Sequence, residues 1–156
     1  MKKFKTLLIG LGGIGFFYDR KIKNSFISHS KALKKSKLTK LLCAVDQDNA
    51  KILNFKKTYG LDATNDLNDA IKKHKPEFIV ISVNTSSLYD VLTSVSKFKN
   101  IRYVLVEKPG TNDSAQLKKI ISIYKKNKIK LFINYNRSYQ KNFINHFSIY
   151  KKKIIF

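Results

Sequence analysis

The chain has 156 residues, one cysteine and a formal net charge of +22. The length suits one domain, or one domain and the start of another, and the single cysteine excludes a disulfide framework. No run of about 20 apolar residues is present that could span a membrane. We therefore expect a cytoplasmic protein without a membrane partner. All but three of the 32 basic residues are lysines, whereas base readout relies on arginine forks. The charge therefore predicts weak, salt-dependent binding of anionic polymers and no specific nucleic-acid partner.

The first apolar run breaks into glycines at residues 7–15, which read LLIGLGGIG. Gly10, Gly12 and Gly15 have the G-x-G-x-x-G spacing of a dinucleotide-binding loop. In that loop the first glycine allows a tight turn, the second leaves room for a pyrophosphate, and the third lets a helix pack closely on the sheet. The helix N-terminus would then offer free N–H groups to the phosphates. A simple glycine-rich turn is the alternative. The predicted cofactor-binding loop comprises Gly10, Gly12, Gly13, Ile14 and Gly15.

Short apolar runs without polar alternation follow along the chain and are typical of strands buried in a parallel sheet. The predicted strands are Lys5–Ile9, Leu41–Asp46, Phe78–Val83, Tyr103–Glu107 and Lys130–Asn134, with a poorly marked one near Leu61–Ala63. The predicted helices are Ser28–Lys35, Asn49–Tyr59, Asn65–Lys73, Ser87–Lys97 and Ser114–Asn127, with Asp48 and Asn65 as N-caps. This alternation predicts an α/β protein with a Rossmann-type, doubly wound parallel sheet and helices on both faces. Its dinucleotide-binding domain is assigned to 1–134, and 135–156 to a tail or the start of a substrate domain.

Asp46 ends the second predicted strand, where such folds place a carboxylate for the ribose hydroxyls of the adenosine. A carboxylate there repels a 2′-phosphate, so Asp46 predicts NAD rather than NADP. It lies farther from the glycine loop than the usual spacing of about 20 residues, because the intervening segment 16–39 is long. The alternative is that Asp46 only begins the next turn.

A second polar group, Glu107-Lys108-Pro109-Gly110, closes the fifth apolar run. Ligands of open α/β sheets bind at the carboxyl ends of the strands. Lys108 could there donate a proton or polarise a substrate hydroxyl, with Glu107 as its charge partner. An ordinary turn with a solvated lysine is the alternative.

The histidines indicate no metal chemistry. No HxH, HExxH or Cys/His cluster occurs in the sequence, so no metal site is predicted. His74 precedes Lys75 and Pro76 at a helix end, and we expect it to interact with the last carbonyls of that helix.

Six short segments occur in a characteristic order over roughly residues 4 to 140. They are GLGGIG at 10–15, HSKAL at 29–33, AVDQD at 44–48, ISVNTSSLYDVL at 81–92, VEKPG at 106–110 and NYNRSY at 134–139. In this order they resemble the N-terminal half of the glucose–fructose oxidoreductase/inositol dehydrogenase/rhizopine-catabolism (Gfo/Idh/MocA) family. The resemblance implies a two-domain, NAD(P)-dependent dehydrogenase of sugars, polyols or related compounds. It implies Lys108 as the catalytic residue, and Asp46, Asn84, Glu107 and Lys108 beside the glycine loop around the cofactor.

The chain also departs from the family pattern. Thr85 stands where the family has proline, and Tyr89 stands where it has histidine. We also expect the family's antiparallel substrate domain to be missing from this chain. We therefore expect a chain that binds NAD but turns over little or no substrate alone. One alternative is a stand-alone nucleotide-binding or regulatory module that acts with a partner chain or a second copy through its apolar end at 154–156. A lysine-rich nucleic-acid-binding protein is the other.

Overall fold

A computed structural model of the chain describes residues 2–135. No helix within these residues is both long and apolar enough to cross a membrane. Six strands form one parallel sheet: β1 Phe4–Ile9, β2 Thr39–Val45, β3 Asp62–Thr64, β4 Phe78–Ile81, β5 Tyr103–Glu107 and β6 Lys130–Asn134. A short π-helical turn spans Gly13–Phe17, and five helices follow: α1 His29–Lys35, α2 Asn49–Tyr59, α3 Leu67–His74, α4 Thr85–Val95 and α5 Ser114–Lys126.

The strand order β3-β2-β1-β4-β5-β6 defines where a ligand can bind. The chain runs outward from β1 to β3, crosses back to β4 beside β1, and runs outward again to β6. At that reversal the connections after β1 and β4 leave in opposite directions, which opens a crevice at the carboxyl ends of the strands. The predicted doubly wound sheet is thereby confirmed, and its switch point lies between β1 and β4.

Helices cover both faces of the sheet. Successive residues of β1 point to opposite sides, so Leu7 and Ile9 join one core cluster while Leu8 joins the other. The larger cluster contains buried residues of α3, α4 and α5. The smaller one contains residues of the π turn, α1 and α2.

The face of the sheet that carries the smaller cluster also forms an open apolar groove of about 400 Å³. Its half-exposed members Leu38 and Phe132 show that this part of the sheet faces solvent. We call it the apolar groove, and the residues lining it are Phe4, Ser36, Leu38, Thr39, Phe78, Tyr103, Leu105 and Phe132.

Most predicted boundaries lie within one or two residues of the observed ones, and one of the two predicted N-caps is correct. Asp48 accepts hydrogen bonds from the N–H groups of Ala50 and Lys51 at the start of α2. The prediction for Asn65 is wrong. The next helix begins only at Leu67, so the carboxylate of Asp66 is the group that reaches the first turn.

The prediction for His74 is also wrong. Its Nε2 lies 2.8 Å from Oδ2 of Asp62, while the end of α3 is closed by the N–H of Lys75 bonding to the carbonyl of Ile71. Lys73 Nζ lies 2.7 Å from the same Asp62 oxygen. The hydrogen bonds from Lys73 and His74 lower the pKa of Asp62 to about 2. The histidine therefore reaches a carboxylate on the neighbouring strand, which attracts it more strongly than a neutral carbonyl does.

The predictions for the tail at 136–156, including its apolar end at 154–156, lie outside the described residues.

Candidate functional site

A pocket of about 480 Å³ lies at the carboxyl ends of β1, β2 and β4, at the switch point of the sheet. The glycine loop contributes Gly10 and Gly12, and the turn after β2 contributes 46–48. The turn after β4 contributes 82–84. The remaining lining residues come from the ends of β1 and β2 and from three helices: Ile9, Val45, Lys51, Leu67, Ser87, Asp90 and Val91.

The three motif glycines have different surroundings. A Cβ on Gly10 would lie 2.4 Å from the carbonyl oxygen of Ser82, and Gly10 also has a φ of +95°. A Cβ on Gly15 would lie 2.1 Å from the carbonyl oxygen of Gly10. A Cβ on Gly12 would meet no atom within 4 Å. The fold itself therefore excludes side chains at Gly10 and Gly15, whereas Gly12 leaves bare backbone facing open space.

The helix expected directly after the loop is only one π-helical turn, in which the N–H groups of Phe16 and Phe17 both bond to the carbonyl of Gly12. The chain then leaves the sheet for the segment 18–28. That segment is held by the buried carboxylate of Asp19, which accepts hydrogen bonds from the N–H of Ile27 at 2.7 Å and the hydroxyl of Ser28 at 2.5 Å. The expected helix N-terminus is thus reduced to a short turn, because Asp19 organises a loop where a longer helix would run.

Asp46 is the first residue after β2, and its carboxylate faces the glycine loop. Oδ2 accepts a hydrogen bond from the N–H of Leu11 at 2.6 Å, and Oδ1 accepts one from the N–H of Asp48 at 2.9 Å. Lys51 Nζ lies 3.9 Å from Oδ1. The carboxylate is therefore fixed at the edge of the pocket, with lone pairs left to accept further hydrogen bonds.

Asn84 also lines the pocket, at the first position before α4. Its side chain makes no capping hydrogen bond to the helix and is exposed. The structure thus brings four of the predicted cofactor residues together around one cavity: Gly10, Gly12, Asp46 and Asn84.

Glu107 and Lys108 are not among the residues that line this cavity. Oε1 of Glu107 accepts hydrogen bonds from His29 Nε2 at 2.7 Å and from Asn134 Nδ2 at 2.6 Å. Burial alone would raise the pKa of Glu107, but the hydrogen bonds from His29 and Asn134 outweigh it and lower the pKa. Lys108 is exposed and precedes a cis peptide bond to Pro109.

Sequence reasoning assigned no role to His29 or Asn134, the two partners of Glu107. A signal existed for Asn134, because it ends the strand next to β5 and pairs in register with Glu107. His29 begins the segment 29–33 that carries part of the family resemblance, but nothing in the sequence paired it with Glu107, since its position depends on the path of the segment 18–28. Gly13, Ile14 and Gly15 do not line the cavity either.

The pocket is locally acidic although the chain is strongly basic. Its lining includes the carboxylates of Asp46, Asp48 and Asp90, against the single ammonium group of Lys51. A polyanion would be repelled by this arrangement. The pocket therefore suits a ligand that presents hydroxyl groups to the β2 side and brings an anionic group only to the open backbone at Gly12.

Residues 4–135 match a family described as an oxidoreductase family with an NAD-binding Rossmann fold, GFO_IDH_MocA. No curated protein sequence matches the chain.

Solved structures of similar fold include GenD2 from gentamicin A biosynthesis, in complex with NAD, at 18% identity and a TM-score of 0.79. They also include myo-inositol 2-dehydrogenase from Lactobacillus plantarum, at 19% identity and 0.76. A third is the WlbA dehydrogenase from Bordetella pertussis, in complex with NADH and UDP-GlcNAcA, at 14% and 0.79. The alignments cover 96%, 97% and 97% of this chain but only 39%, 42% and 42% of those chains, respectively. The chain thus spans about two fifths of the length of these proteins.

Proposed function

The chain belongs to the GFO_IDH_MocA oxidoreductase family, whose fold is an NAD-binding Rossmann fold, and we propose that it holds NAD(H) in the pocket at the switch point for a dehydrogenase reaction. The observation that carries the proposal is the open space at Gly12, beside a loop whose other two motif glycines are excluded from carrying side chains by backbone contacts. An anion can therefore approach the main chain at Gly12, where the space that a side chain would fill is open.

The residues present fit the cofactor. The pyrophosphate would lie against the backbone at Gly12, and Asn84, which also lines the pocket, would supply an amide for hydrogen bonding. Bound NAD⁺ supplies an acceptor for a hydride. The glycine loop and the pocket would set its orientation, and the turn at 46–48 and Leu67 of α3 would hold its adenosine end.

Asp46 favours NAD over NADP. Its carboxylate is held by the N–H groups of Leu11 and Asp48 and can still accept hydrogen bonds from the two ribose hydroxyls. A 2′-phosphate would place a second negative charge beside it, with Asp48 close by, and only Lys51 would compensate.

The reaction at the nicotinamide end rests on Lys108. An ammonium group at the carboxyl edge of β5 can donate a hydrogen bond to a substrate hydroxyl and take part in moving its proton. Glu107, fixed by His29 and Asn134, precedes it and fixes the end of the strand from which Lys108 projects. Among the neighbours of similar fold, one is a myo-inositol dehydrogenase and one was crystallised with UDP-GlcNAcA. These names support a sugar- or polyol-type substrate.

A second candidate is a cofactor-binding module that works with a partner chain. The apolar groove favours it, because its half-exposed Leu38 and Phe132 suit a covering surface. The chain alone would then bind NAD(H) and show little or no turnover. Dehydrogenase activity of the purified chain that is lost in Lys108→Ala would exclude this candidate.

The test is a titration of the purified chain with NADH, with NADPH in parallel, near physiological salt. We expect saturable binding that prefers NADH. Gly12→Val should lower the affinity at least about tenfold, since its side chain would occupy the space for the phosphates. Gly12→Ala serves as the stability control and should keep its unfolding midpoint, because a Cβ at Gly12 meets no protein atom within 4 Å.

Two results would contradict the proposal. One is a folded wild-type chain that binds neither nucleotide. The other is NADH affinity that survives Gly12→Val but falls steeply with salt, as expected if the nucleotide binds only to surface lysines.

A further inference from the structure

Three metal-ligating side chains meet on the far side of the sheet from α1 and α2, away from the NAD(H) pocket. The Sγ of Cys43, a carboxylate oxygen of Asp62 and a ring nitrogen of His74 all lie within 4.8 Å of one another. None of the three lines the pocket at the switch point. We call them the Cys43–Asp62–His74 cluster.

The cluster is built on three fixed elements. Cys43 and Asp62 are register partners in the parallel pair of β2 and β3. His74 is the last residue of α3, which contributes to the larger core. β2 is an interior strand, β3 pairs with it at the edge of the sheet, and α3 packs against β2. The three donors are therefore held together by the fold without a large rearrangement.

The donor types select among cations. One thiolate sulfur, one imidazole nitrogen and one carboxylate oxygen are the three ligand types that Zn²⁺ accepts. Magnesium and calcium take oxygen ligands and would not use Cys43 or His74. Three protein ligands with a fourth position for water match the open tetrahedral arrangement.

The three side chains differ in exposure, so that a cation could enter the cluster from one side. Cys43 is fully buried at the bottom, whereas the side chains of His74 and Asp62 are 17% and 30% exposed. From these positions we propose that the Cys43–Asp62–His74 cluster is a site for one zinc-type divalent cation, with its fourth ligand a water on the solvent side of Asp62.

The side chain of Lys73 competes with a cation for the carboxylate of Asp62. Without a cation, Oδ2 of Asp62 accepts hydrogen bonds from Lys73 Nζ and His74 Nε2, at 2.7 and 2.8 Å. A bound cation replaces both. The Lys73 ammonium, whose side chain is 60% exposed, turns to solvent. A ring nitrogen of His74 binds a cation only without its proton, and Cys43 binds it as a thiolate whose proton leaves to water, so cation binding releases protons.

The experiment is a titration of the full chain with Co²⁺, which reports a thiolate ligand through a charge-transfer band in the near ultraviolet, and with Zn²⁺ as competitor. We expect one cation per chain, a thiolate band, and its displacement by Zn²⁺. Cys43→Ala should abolish the band, and His74→Gln should lower the affinity about 100-fold or more, since even residues that only support a ligand cost 10- to 100-fold.

The lysine competitor gives the sharpest test. Lys73→Met should tighten cation binding about twofold to fivefold, the size of an exposed ion pair. Lys72→Met, on the same helix, removes the same charge and serves as the matched control, with affinity within about twofold of wild type. The Lys73 and His74 variants alter partly exposed side chains, so they remain informative even where Cys43→Ala disturbs the core.

Three results would overturn the proposal: no thiolate band with Co²⁺, affinity unchanged in His74→Gln, or weaker binding in Lys73→Met. NADH affinity and the unfolding midpoint are measured on each variant. Because the cluster shares no residue with the NAD(H) pocket, failure of one proposal leaves the other intact.

Discussion

The two ends of the candidate dehydrogenase site use their polar groups differently. At the loop end, Gly12, Asp46 and Asn84 line one cavity. At the β5 end, Glu107 is bonded to His29 and Asn134, while Lys108 stands exposed outside the cavity. At the loop end, residues of this domain alone form a cavity for a ligand. At the β5 end, the strand terminus is fixed by hydrogen bonds, and the side chain of Lys108 is exposed. We therefore expect that substitutions can separate NAD(H) binding from the proposed reaction.

The largest expected effect separates folding from binding within the glycine loop. Gly10→Ala should cost about 3 kcal/mol or more, because it combines a positive φ with a Cβ 2.4 Å from the Ser82 carbonyl oxygen. Gly12→Ala is the matched control and should stay within about 0.5 kcal/mol of wild type. Urea unfolding of both variants measures the difference. Equal losses at the two positions would show that Gly12 also serves the fold.

The next effect concerns nucleotide choice at the loop end. Asp46→Asn removes the charge but keeps an oxygen that can accept the hydrogen bond from Leu11. We expect the preference for NADH over NADPH to narrow about tenfold, roughly 1.4 kcal/mol. Parallel titrations with the two nucleotides measure it. Asp69→Asn, which removes an equal charge outside the pocket lining, controls for net charge. A preference unchanged in Asp46→Asn would contradict the role assigned to this carboxylate.

A smaller effect tests the β5 end through pH. The pKa of Glu107 is lowered in the folded chain, so its charged form favours folding. This contribution is complete above the ordinary carboxyl pKa near 4.5 and is lost as the pH falls through the lower, folded value. Glu107→Gln should therefore be less stable than wild type by about 1 kcal/mol at neutral pH, and the two unfolding free energies should converge on acidification. A gap that stays constant with pH would show that shape, and not charge, holds the three side chains together.

The smallest effect is an expected absence of change. Lys108→Ala should leave NADH affinity within about twofold of wild type, since Lys108 lies outside the cavity. The titration used for Gly12→Val measures it. A tenfold loss of NADH affinity would indicate that Lys108 contacts the nucleotide, and would contradict the separation of the two ends.

Local patterns allowed much of the fold to be predicted. The strands were found because apolar runs in a buried parallel sheet do not alternate, and Asp48 was found because a cap acts within one turn. The N-cap predicted at Asn65 lies one residue too early. Both Asn65 and Asp66 carry a capping oxygen, and only the start of α3 decides between them.

The site was predictable where it lies in one short segment or at a strand end. The glycine loop, Asp46 and Asn84 meet the pocket in the expected places, although their roles toward a cofactor stay predictions. The contacts of Glu107 with His29, and of Asp62 with His74, join residues far apart in the chain. No local pattern encodes such pairs, since they depend on how the segment 18–28 and the end of α3 pack.

The apolar groove has a thermodynamic consequence for this chain. Water over Phe132, Leu38 and their neighbours is released when any surface covers them, and near room temperature the gain is almost entirely entropic. Covering the groove should therefore lower the heat capacity and grow weaker on cooling. We therefore expect the chain to associate least through this groove in the cold, and warming should strengthen the binding of any surface that covers it.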